Sequence, residues 1–216
     1  HVHVFTVKNE HGEETMKERF MKKALIGYAV FSILLFMAGP GPAQCRAAEV
    51  PLSTFGDGKV VVKLYADYFC PPCKEMAPGI EPVLTELVRD KIIRLTFVDT
   101  PFNRYSSVYA RYFLYAMNEK KTLDNAFFAR RSLLEAAAQQ IVDAQKLEAY
   151  LNEKKVLFRP FDVKPVFAVL SGYLKQDQID RTPTCIVEMD GRSYKYTGST
   201  EITAALEKLR QKRSPK

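Results

Sequence analysis

Cys70 and Cys73 stand three residues apart in Phe69-Cys70-Pro71-Pro72-Cys73-Lys74. Two thiols at this spacing can exchange a disulfide, supply half of a zinc site, or offer thiolates to copper. Their surroundings favour the first. Val60-Val61-Val62-Lys63-Leu64-Tyr65 is a β-branched and aromatic run that reads as a buried strand. Pro71 and Pro72 suit the entry and first turn of a helix, where a missing N–H costs little, and they stiffen the turn. The pattern predicts a strand over 59–66 and a helix over 71–89, with Cys70 just before the helix and Cys73 one turn inside it. A thiol at a helix N-terminus meets the positive end of the helix dipole, which favours thiolate. A second thiol one turn along can attack a mixed disulfide formed on the first.

Histidine usage narrows the chemistry further. The chain has 216 residues and three histidines, His1, His3 and His11, all upstream of an apolar segment near residue 30. No Cys–His nucleophile pair can therefore form downstream. Lys74 after the second cysteine excludes a haem-attachment motif. After Cys73 only Cys185 remains, so a Cys/His zinc site lacks ligands and no metal is expected. A lone CxxC with only Met76 beside it is a weak copper site. The chain is 47% apolar and 26% charged, as globular proteins are. Its net charge of +7 comes with no basic stripe interleaved with aromatics, so nucleic acid is not an expected partner.

Cys70-Pro71-Pro72-Cys73-Lys74-Glu75-Met76-Ala77-Pro78 resembles the active-site segment of the thioredoxin superfamily. The lead-in Ala66-Asp67-Tyr68-Phe69 is closer to the periplasmic DsbA-like and DsbG-like branch. The resemblance covers most of residues 55–210 and implies an α/β thioredoxin-like fold: a central mixed sheet flanked by helices, with an inserted helical subdomain. It also implies that Pro183 in Thr182-Pro183 is cis and packs near Cys70, with the Thr182 backbone free to bind an extended substrate peptide. At one place the chain departs from the pattern. Thioredoxin and DsbA carry a buried carboxylate in the strand before the motif, and here that position falls on Lys63 or Leu64. Lys63 is read as a surface lysine lying along its strand, with modulation of the dithiol as the alternative. Asp67 is expected to cap the loop rather than to carry protons. Cys185 lies two residues beyond Pro183, on the same strand face, and is expected to be a buried, inert thiol.

The remaining chain supplies the elements that must hold these residues. Residues 1–47 read as an upstream extension and a leader: Met21-Lys22-Lys23, an uncharged run from Ala24 to Ala38, then Gly39-Pro40-Gly41-Pro42. That run is shorter than the roughly 20 residues of a membrane span. A cleaved signal peptide that takes Cys45 with it is expected, a retained signal-anchor being the alternative. Residues 48–216 form the second unit, in which 49–58 read as a loop and Ile92–Val98 as a second strand. Helical spacing over Tyr105–Asn118, Leu123–Gln140, Asp143–Lys154 and Val163–Gln176 marks an insertion of about 104–176. Arg181–Met189 and Arg192–Tyr196 read as a hairpin turning at Asp190-Gly191. Ser199 or Thr200 is expected to cap a last helix over 201–212, and the tail beyond it to fray.

These residues point to an exported, periplasmic protein thiol–disulfide oxidoreductase. Its electrons would reside in the Cys70–Cys73 pair, without any other cofactor. Expected partners are cysteine-containing exported proteins and a membrane redox partner, and the chain is expected to be a monomer. The direction stays open between oxidase, reductase for cytochrome c maturation, and isomerase. A thioredoxin-like chaperone or a copper-binding module is the reading of another class.

Overall fold

The computed structural model describes residues 51–212. The leader, Cys45 and the tail beyond residue 212 lie outside the described residues. The strands are β1 (Thr54–Phe55), β2 (Val60–Ala66), β3 (Ile93–Asp99), β4 (Thr184–Met189) and β5 (Arg192–Thr197). The helices are α1 (Pro71–Arg89), α2 (Ser106–Glu119), α3 (Leu123–Ala138), α4 (Ala144–Glu153), α5 (Lys164–Gln176) and α6 (Ser199–Lys212).

The strands form one mixed sheet in the order β1-β3-β2-β4-β5. β2 and β3 run parallel with Val62 opposite Leu95, as a strand–helix–strand unit requires. β4 pairs antiparallel with β2 and β5, and β1 pairs antiparallel with β3. At the β4–β5 hairpin Asp190 (φ 52°) and Gly191 (φ 70°) are both left-handed, as a tight two-residue turn needs. The helical insertion is α2 to α5, which fill the connection from β3 to β4.

Alternation along the strands divides the interior into two clusters. Val62 and Leu64 of β2, Leu95 and Phe97 of β3, and Cys185 and Val187 of β4 join the larger one. There they meet Met76, Ile80, Leu84 and Leu87 of α1, Phe113 of α2, and Leu206 of α6. Tyr65, Val98 and Ile186 point the other way and pack with Leu170 of α5. The sheet therefore separates a face that carries the cysteine helix from a face covered by α5.

Two local features differ from the sequence reading. Thr54–Phe55, expected within a loop, is a strand, with Thr54 opposite Thr96 and their hydroxyl oxygens 2.9 Å apart. So short a strand is fixed by its partner, not by any local pattern. Ser199 opens α6 instead of preceding it, and its hydroxyl donates to the Pro72 carbonyl at 3.2 Å. α1 continues past Pro78 and Pro82 to Arg89.

Candidate active site

Cys70 is the N-cap of α1, with extended backbone (φ −85°, ψ 113°) and no capping hydrogen bond from its side chain. Its N–H donates to the Asp67 carbonyl at 3.2 Å, and its carbonyl accepts from Lys74 N–H at 3.2 Å. These bonds close the helix entry while leaving the sulfur half-exposed. Pro71 and Pro72 occupy the exposed first positions of α1. Cys73, one turn in, is only 3% exposed. Both cysteines are free thiols. Burial pushes the Cys73 thiol up to about 12, and a hydrogen bond with Cys70 adds to the rise. The Asp67 backbone and the Thr182 side chain act in the opposite direction, favouring the thiolate.

The Thr182–Pro183 peptide bond is cis. It brings the Thr182 carbonyl to Cys70, whose Sγ donates to it at 3.3 Å. Pro183 is buried and Thr182 half-buried. Four residues singled out from the sequence, Cys70, Cys73, Thr182 and Pro183, thus meet at one end of the sheet.

Asp67 organises the loops around this end. Its buried carboxylate accepts from the N–H groups of Phe69 (2.7 Å), Phe102 (3.0 Å) and Asn103 (3.2 Å) and from the Ser106 hydroxyl (2.8 Å). It joins the turn before α1 to the segment leading into α2, the loop role expected of it. Beside it lies a polar group that the sequence reading missed. Arg130 Nη1 of α3 donates to Asp99 Oδ1 at 2.6 Å and to Tyr68 Oη at 3.3 Å, and Tyr68 donates to Asp99 Oδ2 at 3.1 Å. Burial works against the Arg130 charge, but Tyr68 and Asp99 hold its pKa above the ordinary value. The sequence signal was available: Arg130 lies three residues after Phe127 and three before Leu133, on the apolar stripe of its helix.

Lys63 requires a correction. It is 5% exposed, not on the surface, and its ammonium lies 2.7 Å from Asp177 and 2.8 Å from Glu188. It shares the α5 face of the sheet, 5.2 Å from the centre of the Tyr173 ring. Its neighbour Leu64 lines the cavity under Cys73. The alternation of β2 thus turns Lys63 away from the dithiol and sets an apolar side chain there. Cys185 is fully buried, and burial pushes its thiol up to about 12.

Among the described residues no helix is long and apolar enough to cross a membrane. No cluster of three or more His, Cys, Asp or Glu side chains able to hold a metal ion is found among them. A search of curated proteins finds no match. Solved structures share the fold. A periplasmic thioredoxin-like protein from Salmonella enterica serovar Typhimurium is 18% identical, with a TM-score of 0.57 over 81% of this chain and 98% of that one. Wolbachia pipientis alpha-DsbA1 is 16% identical, with a TM-score of 0.56 over 74% and 91% of the two chains. The catalytic domain of Proteus mirabilis ScsC is 17% identical, with a TM-score of 0.56 over 76% and 90%. The thioredoxin family profile matches residues 56–208, a stretch that contains β2, the Cys70–Cys73 turn, the cis Thr182–Pro183 bond and most of α6. The chain belongs to the thioredoxin family.

Proposed function

We infer that the protein catalyses thiol–disulfide exchange on protein substrates through Cys70 and Cys73. One observation carries this reading: a half-exposed thiol at a helix N-cap, held at the Thr182 carbonyl, with a buried second thiol one turn away. Cys70 as thiolate attacks a substrate disulfide, forming a mixed disulfide and releasing one substrate thiolate. Cys73 then attacks the Cys70 sulfur, closes the Cys70–Cys73 bond and releases the second. Run in reverse, the same steps oxidise a substrate dithiol. Thr182 and Pro183 border the reacting sulfur, where an extended substrate segment would lie. No further cofactor takes part in these steps.

The basic and apolar leader supports export to an oxidising compartment, where such chemistry operates on cysteine-containing exported proteins. A membrane redox partner would reset the pair. Purified protein should reduce insulin or refold a reduced, denatured substrate, and Cys70→Ser should abolish both activities. Full activity in Cys70→Ser would overturn the reading and favour a chaperone or a copper-binding module. The reduction potential of the pair decides between oxidase, isomerase and reductase for cytochrome c maturation.

A further inference from the structure

Cys73 and Arg130 line one cavity of about 40 Å³ beneath the cysteine turn. Leu64 and Ala66 of β2 and Phe97 of β3 form its strand wall, and none of them carries a carboxylate. The cavity has room for water, though its lining is mainly apolar. Three other charged side chains border it, and each is already engaged. Asp67 accepts the loop donors described above. Glu81 and Arg131 pair with each other toward the surface, with 23% and 49% of their side chains exposed.

Arg130 is placed differently. Its bonds to Asp99 and Tyr68 both leave from Nη1, so neither uses Nε or Nη2. Asp99 and Tyr68 are not among the cavity walls, so Arg130 shares the cavity with Cys73 while its bonded partners do not line it. The rings of Tyr68, Phe97 and Phe113 lie 5.1, 4.7 and 5.1 Å from the guanidinium carbon and fix the group in place. A guanidinium does not deprotonate in proteins, so this charge is permanent. Cys73 and the Arg130 side chain are 3% and 10% exposed, and a charge so buried acts on its neighbours more strongly than it would at the surface.

We propose that Arg130 is a positioning residue for the second half of the exchange, its fixed charge stabilising the Cys73 thiolate that attacks the Cys70 sulfur. The proposal rests on the dithiol reading above. In the mixed disulfide Cys73 gives its proton to water. Its thiolate forms the Cys70–Cys73 bond and breaks the bond from Cys70 to the substrate sulfur. The departing thiolate carries away the electron pair and is protonated by solvent, so the dithiol is oxidised and the substrate disulfide is reduced. Where a strand carboxylate would take the proton, Leu64 cannot; a cation lowers the free energy of the charge left behind.

The test loads Cys70 with glutathione and follows its release by Cys73 from about pH 5 to about pH 10, across the thiol range. Arg130→Met, Arg130→Lys and Arg130→Met/Asp99→Asn are compared with the parent. Asp67, Glu81 and Arg131 are the other charged groups lining the cavity, Cys70 lies one turn away, and Asp99 and Tyr68 are bonded to Arg130. They are unchanged in the two single variants, and only Asp99 differs in the double. In both Met variants release should fall about tenfold across this range, because the Cys73 thiol, already pushed up to about 12, ionises still less readily. Arg130→Lys should stay within about threefold of the parent, because it keeps the charge without the fork. Alkylation of Cys70 in a Cys73→Ser background should change less than about twofold, because Cys70 lies outside the cavity. An unchanged release rate in folded Arg130→Met/Asp99→Asn overturns the proposal. If Arg130→Met alone does not fold, the double variant still decides, because it also removes the buried countercharge. A parent protein that forms the adduct but releases no glutathione overturns both the proposal and the exchange reading.

Discussion

Lys63→Met separates stability from chemistry. Lys63 lies between Asp177 at 2.7 Å and Glu188 at 2.8 Å, with side-chain exposures of 6%, 8% and 39% respectively. Removing it leaves the Asp177 carboxylate buried with Tyr65 as its hydroxyl donor. Breaking a buried ion pair by deleting one partner costs about 3–5 kcal/mol. Glu188 is too exposed to add much, so the expected loss is at the lower end, about 3 kcal/mol. For a domain of this size that lowers Tm by roughly 6–12 °C. Urea unfolding of parent and variant measures the loss directly. Burial opposes the Lys63 charge, yet the hydrogen bonds to Asp177 and Glu188 outweigh it and hold its pKa above the ordinary lysine value. Its contribution is therefore complete at neutral pH and is lost only as the pH rises through that raised value. Because Lys63 faces α5, disulfide exchange by the folded variant should stay within about twofold of the parent. A stability change below about 1 kcal/mol, as for a solvated lysine, would refute the burial argument. A tenfold change in exchange rate with stability intact would refute the separation of faces.

Four further outcomes follow. In the reduced protein, iodoacetamide should label Cys70 alone among the cysteines of the described residues at mildly alkaline pH, with Cys73 and Cys185 reacting only after denaturation; mass spectrometry reads this directly. Burial pushes both hidden thiols up to about 12, so unfolding releases their protons once the pH passes the ordinary thiol range. Stability of the reduced form should then fall by about 1.4 kcal/mol per pH unit for each thiol, until the folded thiols ionise. Gly58→Ala should cost at least about 3 kcal/mol in urea unfolding, because a Cβ there would sit 2.3 Å from the Ile92 carbonyl carbon, which is rigid backbone. Pro71 and Pro72 set no cation beside Cys70, so a glutathione equilibrium should give a potential more reducing than DsbA's of about −120 mV.

The reactive turn was legible in the sequence because each of its parts is local. A strand run, two prolines suited to a helix start and a cysteine one turn in are set by neighbours a few residues apart. The hairpin at Asp190-Gly191 was legible for the same reason. β1 was not, since Thr54–Phe55 is a strand only because Thr96 and Leu95 stand opposite. Lys63 was hidden, and Arg130 was marked only by its place on the apolar stripe of its helix. A charged residue reads as surface unless its distant partner is known, and Asp177, Glu188 and Asp99 are brought to them only by folding. Ser199 read as a cap because serine before a helix usually is one; its hydroxyl goes instead to Pro72.

That bond from Ser199 to Pro72 has a bearing on biosynthesis. A chain is made from its N-terminus, so the cysteine turn leaves the ribosome well before the helix that braces it. Until α6 arrives, the Pro72 carbonyl lacks this donor and the face of α1 that packs on Ile202 and Leu206 is bare. The reactive turn therefore gains its final support last, and a nascent chain stalled short of residue 199 would carry both sulfurs in an unbraced helix start.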